Sequence, residues 1–201
     1  MREKNSLDSP LDNLEVVVFD LETTGFFPDK GDKIISIGAI KMTGSKINEN
    51  QTFYTLVKID TPIPKMISDL TNINDEQLQT APEAPQALND FFYFIGNSVL
   101  VAHHAKHELA FMKKITADSL GTKFEHRIID TSFLIKLSNP ICHPIPLEQL
   151  CHECGIEVKD RHNALADARM AAQVWAFFLE GAQNLGYQNL REVYDYLSRL
   201  R

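Results

Sequence analysis

The chain has 201 residues, of which 44% are hydrophobic and 23% charged, and a formal net charge of −7. That length suits one domain with room for an extra element, and its core needs no disulfide or metal simply to fold. The acidic balance excludes a simple cationic nucleic-acid binder, so any contact with phosphate needs divalent cations or a local basic patch. Apolar runs such as Val16–Phe19 and Phe91–Ile95 are far short of the roughly 20 residues of a transmembrane helix.

Residues 1–13 read as a loose polar arm. Its start, Met1-Arg-Glu-Lys-Asn-Ser6, lacks the apolar stretch of a secretory signal. Three cysteines suggest no disulfide framework and a reducing, cytoplasmic setting. Glu15–Asp20 is a β-favouring run with the near-continuous apolarity of a strand covered on both faces. Gly25–Asp32 is a loop. Ile34–Met42 and Ile47–Val57 read as two more strands, with Thr43-Gly44-Ser45 as the hairpin between them.

A Pro-rich connection, Thr61–Pro64, follows. Asn74-Asp75-Glu76 opens a short helix and Ala84–Ile95 a longer one. Val99–Ala102 is a buried strand, and a helical pattern runs from about Ala105 to Ile115. Arg127–Asp130 is a fifth strand, followed by a helix from Ser132. Leu147–Cys154 is a short helix stopped by Gly155. Its cysteines, Cys151 and Cys154, read as core residues, because no second pair completes a zinc site.

The strongest helical pattern covers Asn163–Glu180, with Ala164, Ala168, Ala171, Ala172, Trp175, Phe178 and Leu179 on one stripe and Gly181 as its stop. A last amphipathic helix carries Leu190, Val193, Leu197 and Leu200. Hairpin-linked strands followed by strand–helix alternation predict an α/β fold with a mixed sheet. The domain is expected over 14–181, with a C-terminal helix over 182–201 packed on it or on a partner.

Carboxylates stand where this pattern wants apolar residues. Asp20 and Glu22, two apart at the end of the first strand, point to the same side. Two such charges repel unless something positive lies between them. Glu108 falls on the buried stripe of Ala105, Leu109, Met112 and Ile115. A buried unpaired carboxylate costs several kcal/mol; as a first-turn acid it would instead favour the helix dipole, and the pattern leaves both readings open. Asp167 flanks the stripe of the long helix. His162 cannot share a helical face with it, since five residues make about 140°. The two converge only if Arg161-His162-Asn163 is a turn and cap. Four hard carboxylates and one imidazole would suit two Mg²⁺ or Mn²⁺ ions and a base for water.

The motifs Phe19-Asp-Leu-Glu-Thr-Thr-Gly25, Val101-Ala-His-His-Ala105, Asp130-Thr131 and His162-Asn-Ala-Leu-Ala-Asp-Ala168 occur in the order of the DEDDh 3′–5′ exonucleases. The resemblance, to the family of the bacterial DNA polymerase III epsilon proofreading subunit, covers about residues 14–180. It implies a ribonuclease H-like fold, a five-stranded mixed sheet flanked by helices, and a two-metal mechanism. Asp20, Glu22 and Asp167 would hold the catalytic metal, with Asp20 bridging to a second metal that Glu108 reaches. His162 would be the general base.

By the same resemblance Leu21, Thr23, Thr24, Gly25, His103, His104 and His107 would meet the terminal nucleotide. The second motif departs from the family's His-Asn-Ala-x-Phe-Asp. It has His104 for Asn, His107 for Phe and Glu108 for Asp. Ile67–Ile73 resembles the family's linker, with Asn72 where Gly is usual; Asn tolerates the left-handed conformation.

The implied function is release of nucleoside 5′-monophosphates from a single-stranded or frayed 3′ end, DNA ahead of RNA, in proofreading or repair. The implied cofactors are two divalent cations, Mg or Mn. The implied partners are nucleic acid and a DNA polymerase or replication protein, with no membrane. The alternatives are a 3′–5′ exoribonuclease and a non-catalytic binding module with a degraded site.

Overall fold

The computed structural model describes residues 7–140 and 143–200. Five strands, β1 (Glu15–Thr23), β2 (Ile34–Thr43), β3 (Lys46–Leu56), β4 (Val99–Ala102) and β5 (Ile128–Asp130), form one sheet in the order β3-β2-β1-β4-β5. β1, β2 and β3 pair antiparallel, while β4 runs parallel to β1 and β5 parallel to β4. This is the mixed sheet expected from hairpin links followed by strand–helix alternation. The helices are α1 (Lys65–Thr71), α2 (Asp75–Gln79), α3 (Ala84–Ile95), α4 (Lys106–Leu120), α5 (Ser132–Ile135), α6 (Leu147–Glu153), α7 (Ala164–Asn184) and α8 (Leu190–Ser198).

The alternation of β1 explains its apolar run. Val16 and Val18 enter one core with Trp175 and Leu179 of α7. Val17, Phe19 and Leu21 enter a second core with Phe91 of α3 and Phe111 and Met112 of α4. Both faces of the strand are covered, so neither can be polar. The same parity turns Asp20 and Glu22 toward α7. β1 does not end at Asp20: Leu21 pairs with Ile37 and Glu22 with Ser36, so both carboxylates lie inside the ladder.

Several sequence expectations need correction. The arm is not loose from residue 7 onward. Leu11 and Leu14 are buried in the core that holds α7 and α8, the Leu11 N–H donates to the Gln188 carbonyl at 2.8 Å, and the Arg191 N–H donates to the Leu7 carbonyl at 3.0 Å. Two leucines, these backbone bonds and the Asp8–Arg191 ion pair seat an otherwise polar stretch. Residues 1–6 lie outside the described residues, as does Cys142.

Gly181 does not stop α7, which runs to Asn184 before Gly186 adopts φ 93°. An interior glycine costs only about 1 kcal/mol, and Ala182 next to it is buried in the core. α4 likewise continues to Leu120, where Gly121 closes it in the left-handed conformation. The Pro-rich connection leads into the unexpected α1, and Asn72 ends it at φ 56°, the conformation its side chain tolerates. α8 packs Leu190 and Val193 on its own domain. Among the described residues no helix is long and apolar enough to cross a membrane.

Candidate active site

The site lies where β1, the first turn of α4 and the start of α7 meet. α7 can reach β1 because β2 carries Gly38 opposite Asp20. A Cβ on Gly38 would come within 2.2–2.5 Å of the Ala164 carbonyl group and the Leu165 nitrogen. The missing side chain therefore lets the first turn of α7 rest on the sheet. Asn163 caps that turn, its side-chain oxygen accepting from the Leu165 and Ala166 N–H groups at 3.1 Å.

The turn before α7 follows the sequence reading. Arg161, His162 and Asn163 precede the helix, and both Asp160 (φ 48°) and His162 (φ 64°) are left-handed. This bend folds His162 back over Asp167, and its backbone N–H donates to Asp167 Oδ2 at 3.3 Å. Glu22, His162 and Asp167 each present a ligand atom, all within 4.8 Å of one another. Arg161, which the sequence reading missed, forms an ion pair with Asp167. No periodicity marks it, because it lies in a turn.

Glu108 is 3% exposed although it stands in the first turn of α4. The solvated helix-acid reading is therefore excluded. One of its oxygens, Oε2, is buried without a partner, as is Oδ1 of Asp167. Burial pushes the Glu108 carboxyl up to about 8, with the Asp130 and Glu22 charges adding to it. Glu22 is pushed up to about 7 by burial and by Asp167, against the pull of Arg161. The Asp20 carboxyl is raised well above the ordinary range by loss of water and by Glu108, Asp167 and Glu22. Burial raises Asp167 too, although Arg161 opposes it. These four groups form one electrostatic unit, short of positive charge by more than one guanidinium can supply. Hard oxygens with unpartnered buried lone pairs are the donor set of Mg²⁺ or Mn²⁺.

The second motif holds its turn together. Both ring nitrogens of His103 are used, Nδ1 with Thr131 Oγ1 at 2.8 Å and Nε2 with the Ile145 carbonyl at 2.9 Å. Burial, and next the nearby His104, push the His103 ring down to about 4. The Asp130 carboxylate accepts from the Ala105 and Ser132 N–H groups, each at 2.8 Å. His104 sits at φ 58°, a left-handed conformation that Asn tolerates. His107 is half-buried, its ring 4.7 Å from that of Phe111 and 6.0 Å from that of Phe26.

Of the residues expected to meet substrate, Leu21 is buried in the apolar core and His103 has no free ring nitrogen. Any contact from these two would come through their backbone. Thr23 donates its hydroxyl to the Gly25 carbonyl at 2.6 Å. Thr24 accepts from the Lys33 N–H at 2.9 Å. A Cβ on Gly25 would meet the Asp32 carboxylate at 2.4–2.6 Å, so this glycine admits the acid that braces the loop. Phe26, 77% exposed, stands on this loop beside His107. The sequence reading did not single it out, although an exposed aromatic after a glycine turn is a recognisable stacking group.

A family model described as Exonuclease matches residues 17–175. The chain is 37% identical over 163 residues to DNA polymerase III PolC-type of Clostridium perfringens, which covers 81% of this chain but only 11% of that protein. It is 32% identical over 173 residues to DNA polymerase III subunit epsilon of Aquifex aeolicus, covering 86% of this chain and 84% of the relative. Among solved structures, the nuclease domain of 3′hExo, a DEDDh family member bound to rAMP, matches with a TM-score of 0.68 at 19% identity, over 83% of this chain and 92% of that one. Exonuclease X in complex with 5′ overhanging duplex DNA matches with a TM-score of 0.65 at 19% identity, over 90% and 98%. At that identity the two structures bear out the expected ribonuclease H-like fold. With the family model spanning most of its length and motif residues Glu22, His162 and Asp167 brought together, the chain belongs to the exonuclease family.

Proposed function

We propose that this protein is a metal-dependent 3′–5′ exonuclease that releases the 3′-terminal nucleotide of DNA as a nucleoside 5′-monophosphate. The observation that carries this is the convergence of Glu22, His162 and Asp167 within 4.8 Å, beside the raised carboxyls of Asp20 and Glu108. Two divalent cations, Mg²⁺ or Mn²⁺, would supply when bound the positive charge that offsets the scissile phosphate and acidifies water. Asp20, Glu22, Glu108 and Asp167 are the residues to hold them. His162, in its left-handed turn beside Glu22 and Asp167, takes the proton of the attacking water. Thr23, Gly25 and His104 border the place of the terminal nucleotide. Phe26 and His107 offer ring surface to its base.

The names of the epsilon and PolC-type relatives support a role beside a DNA polymerase, which we read as proofreading or repair in a cytoplasmic setting. The test is digestion of matched 5′-labelled DNA and RNA oligomers with Mg²⁺ or Mn²⁺. The reading predicts ladders shortening from the 3′ end, faster on DNA, and no cleavage in chelator. Cleavage that persists in chelator would remove the metal mechanism, and faster RNA ladders would make the enzyme an exoribonuclease.

A further inference from the structure

Arg161 occupies a costly position. The residues on either side of it, Asp160 and His162, both hold left-handed backbone, at φ 48° and 64°, without being glycine. Such a conformation persists at a residue other than glycine only where the surroundings hold it. The bend turns a guanidinium toward Asp167, Asp20 and Glu22, and its Nε is buried without a partner. Its Nη1 is bonded to Asp167 Oδ2, and the His162 N–H donates to the same oxygen at 3.3 Å. The other oxygen, Oδ1, is buried and has no protein partner. One carboxylate oxygen is thus clamped from two sides and its twin is left over.

We infer that Arg161 is a positioning residue that clamps Asp167 Oδ2 so that Oδ1 is presented to a divalent cation. The inference rests on the proposed function, because it concerns how this chain prepares the cation site. Outer partners that orient a ligating carboxylate typically change metal affinity by about 10–100-fold. The sign is diagnostic. Taking a positive charge away from four carboxylates would by itself tighten cation binding. A positioning role predicts the opposite.

The experiment titrates Mn²⁺ into the full chain stripped of metal and counts free ion by its electron paramagnetic resonance signal. Wild type, Asp20→Ala, Arg161→Met and Arg161→Lys are compared, with melting curves run on each. Arg161→Met should weaken Mn²⁺ binding about 10–100-fold. Arg161→Lys keeps the charge but loses the planar donor, and should fall between the two. Mn²⁺ binding in Arg161→Met as tight as wild type or tighter overturns the inference. Should Arg161→Met fail to fold, Arg161→Lys carries the test, and wild-type affinity there overturns it equally. Wild type binding no more Mn²⁺ than Asp20→Ala overturns the proposed function and this inference together. Normal wild-type binding with Arg161→Met unchanged overturns this inference alone.

Discussion

Glu108 is one methylene longer than the family's acid and lies almost wholly out of water. Its folded-state pKa is raised from the ordinary value to about 8. The stabilising effect of that proton is therefore full below the unfolded value near 4.5 and is lost as pH rises through about 8. Glu108→Gln removes the charge and keeps the shape. In the absence of metal it should raise the melting temperature at pH 8.5, by roughly 2–4 °C for each kcal/mol recovered. With metal it should lose most of the cleavage rate, whereas Glu108→Asp should retain activity. Rate and melting measured on the same two variants check this; an unchanged rate in Glu108→Gln would leave a metal centre of three carboxylates. His162→Ala should lower the rate about 10²–10⁴-fold, as loss of a general base does, while its Mn²⁺ titration stays near that of wild type. A wild-type rate there would assign the turn to structure alone.

At the scale of elements, the site depends on α7 lying directly on the sheet. Gly38→Ala would drive a methyl group into the backbone of Ala164 and Leu165, where no flexible side chain can yield. It should destabilise the protein by more than about 1–3 kcal/mol and lower activity by displacing Asp167 from Asp20; urea midpoints together with rates would show both losses. His104→Asn relieves a left-handed position and should raise the unfolding free energy read from urea melts by a few tenths to about 1 kcal/mol. These two positions also mark what sequence reading can and cannot see. The parity of Asp20 and Glu22, the Asn163 cap and the left-handed tolerance of Asn72 were legible because each is a local rule. Gly38 was not, because its role is set by a helix more than a hundred residues away. Arg161 was hidden in a turn without periodicity. α1 was hidden because the prolines before it read as a break, and the seating of Leu11 because its partners arrive with α7 and α8.

Over the whole molecule, two opposed titrations shape stability. His103 is depressed to about 4, so its contribution is present above the unfolded value near 6.5 and is lost as pH falls through about 4. Glu22, raised to about 7, and Glu108 contribute at low pH and lose that contribution as pH rises through about 7 and 8. Between about 4.5 and 6.5 the single histidine opposes the two carboxylates and cancels only part of their decline. Above that window His103 no longer opposes them, and stability without metal should decline more steeply toward pH 8. On the proposed function Mg²⁺ or Mn²⁺ would bind the ionised carboxylates, so it should raise the melting temperature more at pH 8 than at pH 6. A metal effect independent of pH would separate these carboxylates from the cation site. On the same proposal a chain of net charge −7 could engage phosphate because the cations would bring their charge to the cluster of Asp20, Glu22, Glu108 and Asp167. The most direct test of that claim is the single-turnover rate of Asp20→Ala against wild type on 5′-labelled DNA with Mg²⁺. The account predicts a ladder shortening from the 3′ end in wild type and almost none in the variant. Full activity in Asp20→Ala would contradict it.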